Sequence, residues 1–324
     1  MKRALTLVSL LVTVVLLITM FLVSTISLAY ASDAAEKKVV AFIPPNMITP
    51  YYAMIIEGAQ PTAESLGFEF KVQSPSAADA YEEQVQIIEN FVTQNVDGIA
   101  ICTHDANSII GAVKKANAAK IPVVIFNTLI DLPDGSVDVY AYTGYDPWEG
   151  GVMCADWISE QIGGTGDIAV LEGMVGFGND ERKAGFFDRM ETEYAGKINI
   201  VASQNADWAR DKGYNVGQDI LNQFPSVKAF FACSDEMAIG AATYIKEKGL
   251  GPIATIGIDG NAVTLDSIKE GITTGTLNTD PYNVGVSTIN LLGKAIAGEP
   301  KAENNKIIVP CFIVDPSNID QYIK

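Results

Sequence analysis

Hydrophobic and polar positions along this chain follow two regular periods. Short apolar runs at Lys38 to Ile43, Ile99 to Cys102 and Val123 to Phe126 predict parallel strands that are covered on both faces. Between the runs lie segments with apolar residues at helical spacing, such as Val85 to Val92. A regular alternation of strand and helix is typical of α/β proteins with parallel sheets.

The alternation occurs twice. It breaks at a polar loop, Asp131 to Asp138, and a short strand, Val139 to Tyr142, follows that loop. The segment Gly144 to Pro147 then indicates a crossing between two parts of the molecule, and the strand–helix order restarts after it. We therefore expect an α/β fold with two similar doubly wound parallel-sheet lobes, because the mature chain is long for one core.

Three local patterns make more detailed predictions. Asp79, with Glu82 three residues later, predicts an N-cap and capping box for the helix that follows. A helix is predicted from about Asp180 to Tyr194, after the glycine-rich loop Gly173 to Gly178. One strand is predicted near Ile307 to Phe312, before a short tail helix.

The first 31 residues have the pattern of a secretory signal peptide. Lys2 and Arg3 precede an uncharged stretch from Ala4 to Ser32, and Ala29-Tyr30-Ala31 offers small residues at a cleavage site. We expect 1–31 to be a signal peptide and the mature chain to be periplasmic or extracellular. An uncleaved membrane anchor is the alternative, because the stretch exceeds the roughly 20 apolar residues that span a bilayer.

Charge and cysteine content exclude several classes of function. The formal charge of −17 argues against nucleic-acid partners. His104 is the only histidine, the loop Asp131 to Asp138 lacks the ligand spacing of a calcium loop, and we expect no metal and no cofactor. The four cysteines are widely spaced and are expected as buried free thiols, with a disulfide as the alternative.

Polar and aromatic residues gather where the predicted strands end, which is where open α/β sheets bind ligands. The candidate binding residues are Asn46, Thr49, Tyr51, Tyr52, Asp105, Asn127, Asp180, Arg182, Trp208, Ser234, Asp259 and Thr279. Aromatic faces can stack on the C–H faces of a sugar or polyol, and amides, hydroxyls and carboxylates can pair with its hydroxyls. Many such residues are also ordinary helix N-caps, so the prediction rests on their occurring together.

Among these candidates, we assign stacking to Tyr51, Tyr52 and Trp208. Hydrogen bonds to ligand hydroxyls are assigned to a second group: Asn127, Asp180, Ser234, Asp259 and Thr279. The remaining four, Arg182, Asn46, Thr49 and Asp105, are secondary candidates.

Several of these motifs together resemble a known family. From Lys38 to Val314 the chain is similar to the periplasmic binding proteins for pentoses and hexoses of the ribose-binding class, the type I substrate-binding proteins of ABC transporters, whose fold is repressor-like. The motifs are Thr49-Pro50-Tyr51-Tyr52, Asp97-Gly98-Ile99, Arg182 with Gly185-Phe186, Ala206-Asp207-Trp208, Ser234 to Ala241, and Gly257 to Gly260. Repressor relatives carry a DNA-reading headpiece, whereas for this chain we expect a leader and no headpiece.

The resemblance implies a domain organisation and a function. One lobe would hold 38–146 plus 280–310 and the other 147–279 plus 311–324, with crossings near Asp146, Thr279-Asp280 and Pro310. The protein would close about this hinge on a ligand in the cleft, without catalysis, and would deliver it, as a monomer, to an ABC permease.

Differences from the family pattern bear on the ligand. Asn127-Thr128 stands where relatives often carry Asp-Arg, and Ser234 and Ile258 replace a common Asn and Phe. These changes favour, as the ligand, a neutral monosaccharide or polyol other than ribose. The alternative is an amino sugar whose ammonium pairs with Asp180 or Asp259. Two other functions stay open: a ligand receptor for a membrane sensor (chemotaxis or a furanosyl quorum signal), and an exported hydrolase with Asp180 and Asp259 as acid and base.

Overall fold

The computed structural model describes residues 37–322 except 130, 131, 133, 134 and 136. The predicted signal peptide and half of the polar loop from Asp131 to Asp138 lie outside the described residues. Within the described part, no helix is both long enough and apolar enough to cross a membrane.

The first of two sheets contains six strands, and all of its pairings are parallel. In spatial order its strands are β11 (Lys306–Ile308), β5 (Ala141–Tyr145), β4 (Val123–Thr128), β3 (Gly98–Ile101), β1 (Val39–Ile43) and β2 (Glu69–Val72). The central strands are apolar and almost fully buried, because helices cover both faces of the sheet.

The second sheet repeats the arrangement with six strands. In spatial order they are β12 (Phe312–Val314), β10 (Gly275–Asn278), β9 (Ala254–Asp259), β8 (Val227–Ala232), β6 (Gly166–Glu172) and β7 (Ile198–Asn205). Its pairings are parallel except at one edge, where β12 runs antiparallel to β10. The fold class expected from the sequence is thus confirmed, with this antiparallel edge strand as an addition.

Helices alternate with the strands along the chain. They are α1 (Pro50–Ser65), α2 (Tyr81–Thr93), α3 (Ala106–Ala118), α4 (Pro147–Gln161), α5 (Phe177–Glu193), α6 (Arg210–Gln223), α7 (Asp235–Glu247), α8 (Ala262–Lys269) and α9 (Pro281–Ile296), with a 3₁₀ turn at Ile319–Gln321. The chain passes between the two halves three times: from β5 to α4 at Asp146, from β10 to α9 at Thr279-Asp280, and from β11 to β12 through Pro310.

Close helix packing fixes the position of α5 against α4. Gly151 of α4 lies against the backbone of Arg182 and Phe186, and a β-carbon on Gly151 would lie 2.7 Å from the Phe186 nitrogen. Gly185 of α5 lies equally close to the Trp148 backbone. Because neither site has room for a side chain, the two helices approach through bare backbone, and this approach sets where Arg182 lies.

Three local predictions were wrong. Helix α2 begins at Tyr81, and its N-cap Ala80 has no side-chain cap, so Asp79 does not cap it. Helix α5 begins at Phe177, three residues earlier than predicted. The strand predicted near Ile307 to Phe312 is two strands in different sheets, because Pro310 has no N–H to continue a ladder and the chain changes sheet there.

Candidate ligand-binding cleft

A cleft of about 410 Å³ lies between the carboxyl ends of the two sheets. Both sheets belong to one compact unit that begins at Val39. The first-sheet side contributes Asn46, Ile48 to Tyr52, Ala77 to Asp79, His104 and Asn127; the second-sheet side contributes Met174, Gly178, Arg182, Asp207 to Arg210, Ser234, Glu236 and Asp259. The position agrees with the rule for ligand sites in open α/β sheets.

Aromatic rings line both walls. Tyr51 and Tyr52 lie in the first turn of α1, where Pro50 favours helix initiation, and their rings meet edge to face with centroids 5.5 Å apart. Trp208 faces them from the loop between β7 and α6 and covers Gly173, which has no room for a β-carbon under the indole. These rings provide apolar surfaces on which the C–H face of a ring-shaped ligand can pack.

A buried ion pair lies in the second-sheet wall. Arg182 Nη2 is 3.6 Å from Asp259 Oδ1, Arg182 Nε donates to the Tyr145 hydroxyl at 2.5 Å, and Arg182 Nη1 donates to the Cys233 carbonyl. Burial raises the pKa of Asp259 well above its usual value, and the Arg182 charge opposes this only in part. Burial alone would lower the pKa of Arg182, but Tyr145 and Asp259 outweigh it and raise that pKa. The Arg182 guanidinium therefore keeps its charge in the buried part of the cleft.

Asp259 is held in place by a second buried carboxylate. Asp235, at the start of α7, accepts hydrogen bonds from Gly260 N and Asn261 N, both at 2.9 Å, and from Thr276 Oγ1 at 2.6 Å. Burial raises the pKa of Asp235. Asp235 thus joins α7 to the turn after β9 and to β10, and it sets the backbone from which Asp259 points into the cleft.

The hydroxyl of Tyr51 occupies the inner end of the first-sheet wall. It donates to Asn127 Oδ1 at 2.6 Å and lies 3.0 Å from Thr279 Oγ1. Because Tyr51 gives its hydrogen to Asn127, the Thr279 hydroxyl donates to Tyr51, and the Asp259 carbonyl at 3.2 Å is its alternative acceptor. Polar contacts therefore link β4, through Tyr51, to the end of β10 and to β9.

His104 follows β3 and faces the cleft. Its Nε2 lies 3.4 Å from the Tyr52 hydroxyl. Burial, and secondarily the charge of Arg182, lower the pKa of His104 to about 4, so its imidazole is neutral at pH 7. The neighbouring Asp105 turns away and caps α3 by accepting from Asn107 N at 2.9 Å.

Nine of the twelve candidate residues line the cleft, and Asp105, Asp180 and Thr279 do not. Asp105 is a helix cap, and Thr279 is fully buried behind Tyr51. Asp180 is exposed, because α5 starts early and turns Asn179 and Arg182 inward, which leaves Asp180 on the outer face. The structure therefore corrects the assignment of ligand hydrogen bonds to Asp180.

Sequence reasoning missed several lining residues. They are Asp79, His104, Met174, Asp207, Arg210 and Glu236. His104 and Asp207 each sit beside a chosen candidate, so proximity to a strand end was a usable signal for both. Arg210 and Glu236 form a two-point ion pair, at 2.8 and 2.9 Å, between the first turns of α6 and α7. That pairing joins residues 26 positions apart, which no local pattern indicates.

Possible metal ligands and the four cysteines are spread across the part of the chain that the structure describes. No group of three or more His, Cys, Asp or Glu side chains there is arranged to hold a metal ion. All four cysteines are free; Cys102, Cys154 and Cys233 are buried, and Cys311 is partly exposed.

The fold and the cleft define a two-lobed binding protein, and comparison with known proteins gives the same class. The family model described as periplasmic binding protein domain matches residues 40–300. The chain belongs to this family, whose members are binding proteins.

Several named proteins are similar to this chain over most of its length. The ribose import binding protein of Salmonella typhimurium is 30% identical over 281 residues, which cover 86% of this chain and 92% of the relative. The ribose import binding protein of Bacillus subtilis is 31% identical over 282 residues, covering 85% and 89%. A periplasmic solute-binding protein of an ABC transporter from Actinobacillus succinogenes, solved with bound D-allose, superposes with a TM-score of 0.82 at 29% identity and covers 88% of this chain and 100% of that one.

Proposed function

We propose that this protein is an extracytoplasmic receptor that captures a neutral monosaccharide or polyol and delivers it to an ABC permease. The observation that carries the proposal is the composition of the cleft. The rings of Tyr51 and Tyr52 stand across from a wall that holds the Trp208 ring and a buried Arg182–Asp259 pair. Import binding proteins for ribose are among the relatives, which supports delivery to a transporter over the alternative of a membrane sensor.

The two walls supply different interactions. The rings bury the C–H faces of a sugar, where each aromatic contact contributes through area and through its π face. Asp259 accepts from ligand hydroxyls and Arg182 donates to them, so a ligand with several hydroxyls satisfies both members of the pair. Ser234 Oγ is buried at the cleft with no hydrogen-bond partner, and a ligand hydroxyl would supply that partner.

A neutral ligand fits this wall better than an amino sugar. Arg182 lies within 3.6 Å of the Asp259 carboxylate, so an ammonium that approached Asp259 would also face the guanidinium. Asp180, the other carboxylate considered for this pairing, lies outside the cleft. The same placement removes Asp180 as a partner of Asp259 in acid–base catalysis, so we expect ligand to leave the cleft unchanged.

The topology supports a closing motion. We propose that 38–146 plus 280–310 and 147–279 plus 311–324 move as two bodies about the three passes of the chain, and that residues 1–31 direct export. Loops from both halves line the cleft, so closure would bring both walls onto one ligand. We expect the closed form, as a monomer, to be recognised by the permease.

Titration calorimetry on the purified protein tests the function. The panel consists of D-ribose, D-allose, D-xylose, L-arabinose, D-glucose, D-galactose, myo-inositol, D-glucosamine and D-galactosamine. We expect micromolar or tighter binding of at least one neutral member and recovery of that ligand unchanged after incubation. Absence of binding across the panel, together with no sugar or polyol in a mass spectrum of the protein as purified, would overturn the proposal.

A further inference from the structure

At the inner end of the first-sheet wall, the Tyr51 hydroxyl is already bonded within the protein. The Tyr51 hydroxyl has one hydrogen, which it gives to Asn127 Oδ1, and it stands at hydrogen-bond distance from Thr279 Oγ1 as well. Tyr51 is 3% exposed, Asn127 is 3% and Thr279 is 0%, so water does not replace these bonds. A side chain of the protein thus holds the positions that a ligand hydroxyl would otherwise take.

The rest of this inner end offers little to a hydroxyl. Asn127 Nδ2 is directed at the sulfur of Cys102, at 3.8 Å, and that thiol is fully buried. Burial raises the pKa of Cys102 to about 12, which keeps it a neutral thiol and a weak hydrogen-bond group. The carbonyl of Cys102 accepts from Gln84 Nε2 at 2.8 Å and is therefore occupied as well.

The opposite wall is different. Ser234 Oγ is buried at 5% exposure without a partner, and Asp259 meets Arg182 only at 3.6 Å, beyond a normal hydrogen bond. Among the described residues that line the cleft, the buried side-chain oxygen without a partner therefore lies on the second-sheet side. A ligand would have its hydroxyls recognised mainly from that side, while the first-sheet side at Tyr51 would meet its carbon skeleton.

We propose that the Tyr51 hydroxyl determines specificity: by occupying Asn127 and Thr279, it selects ligands that present a C–H group, rather than a hydroxyl, to the inner end of the cleft. This inference rests on the proposed function and refines it. A ligand hydroxyl placed there would lose its water and find both partners taken, and a buried polar group without a partner is unfavourable.

The test compares selectivity between Tyr51→Phe and wild type. Calorimetry measures Kd for two sugar pairs that differ by one hydroxymethyl group, D-xylose with D-glucose and L-arabinose with D-galactose. Tyr51→Phe frees the Asn127 oxygen. For at least one pair, we therefore expect the Kd of the sugar with the additional hydroxyl to fall about tenfold relative to the Kd of the other sugar. If Tyr51→Phe changed the Kd values of both sugars by the same factor in each pair, the proposal would be overturned.

Tyr52→Phe is the matched control. It removes a neighbouring hydroxyl that faces His104 rather than Asn127. It should therefore change the Kd values of both sugars in a pair by the same factor. Adding Asn127→Gly to Tyr51→Phe removes the freed acceptor, and glycine suits the left-handed backbone at this position, where φ is 74°. The tenfold shift should then disappear; a shift that survives would show that Asn127 is not its source.

A wild-type experiment keeps the inference testable if Tyr51→Phe does not fold. D-Glucose and D-galactose are titrated beside their 6-deoxy analogues, which carry a methyl in place of the hydroxymethyl group. For at least one pair we expect the 6-deoxy sugar to bind wild type no more weakly than its parent, because no free partner faces the additional hydroxyl. Tenfold weaker binding of the 6-deoxy sugar in both pairs would overturn the inference and leave the sugar-binding function intact, whereas failure of every sugar of the panel to bind would overturn the function itself.

Discussion

At the scale of single residues, His104 reports the electrostatics of the cleft. Burial and the Arg182 charge lower the pKa of His104 to about 4, from an ordinary value of 6.5. Between these values the unfolded chain binds a proton that the folded protein excludes, so stability rises with pH in this window. We expect the contribution of His104 to the free energy of unfolding to fall by about 2–3 kcal/mol as pH drops from 7 to 4, measured as the difference in urea unfolding between wild type and His104→Gln.

The single histidine makes this prediction direct to check. One imidazole resonance in an NMR titration gives the pKa of His104 without assignment. His104→Gln should flatten part of the pH dependence, because glutamine takes up no proton. A titration midpoint near 6.5, or an unchanged pH profile in the variant, would contradict the prediction.

Trp208 is expected to supply binding energy through its ring. Its indole lies over Gly173 and 5.4 Å from the Arg182 guanidinium carbon, so it joins an apolar surface to the charged pair. Trp208→Ala should weaken ligand binding by about 1–3 kcal/mol, measured by calorimetry, because the ring's buried area is lost. Trp148→Phe is the control, since Trp148 is 39% exposed and does not line the cleft. Equal losses in the two variants would contradict a stacking role for Trp208.

Residue types at strand ends were predictable, whereas their directions and partners were not. The sequence places Asn179, Asp180 and Arg182 together, but only the observed start of α5 decides that Asp180 points outward. The bond between Tyr51 and Asn127 joins residues 76 positions apart. Such pairings depend on the register of whole elements and have no local signal.

At the scale of elements, the contact between α4 and α5 positions Arg182. A β-carbon at Gly151 would meet the backbone of Arg182 and of Phe186, which cannot yield as a flexible side chain can. We expect Gly151→Ala to lower the free energy of unfolding by about 1–3 kcal/mol through overpacking, and to weaken ligand binding as α5 shifts. Urea unfolding and calorimetry on the same preparation measure both effects.

Gly111→Ala is the matched control for this helix contact. Gly111 lies in α3, and nothing lies within 4 Å of a β-carbon placed there. Alanine should stabilise that helix by about 0.5–1 kcal/mol and leave affinity unchanged. If Gly151→Ala behaved like Gly111→Ala, the close approach of α4 and α5 would not govern Arg182.

Periodicity identified nearly all elements, because buried parallel strands and amphipathic helices have distinct repeats. Periodicity did not detect the point at which the chain leaves one sheet and joins the other. The apolar residues from Ile307 to Phe312 read as one strand, yet β11 joins the first sheet and β12 the second. Hydropathy indicates whether a residue is buried, but it does not indicate which of the two sheets the residue belongs to.

At the scale of the whole molecule, three passes of chain between two similar sheets predict a closing motion. Ile48 and Val175 provide suitable probes, because they are 79% and 85% exposed on loops from opposite halves at the cleft. With both replaced by spin-labelled cysteine and with Cys311→Ser, we expect double electron–electron resonance to show a shorter distance when a bound sugar is present. The physical reason is that ligand contacts both walls only when they approach.

Two controls separate closure from local loop motion. Labels at Val175 and Val263 lie in the same half, and Val263 is 46% exposed, so their distance should not change with ligand. Asp259→Asn removes the carboxyl group opposite Arg182 and should raise the sugar concentration needed for closure without changing the distance reached, because the hinge itself is intact. A distance between Ile48 and Val175 that stays constant at saturating sugar would show that capture in this protein does not use the hinge.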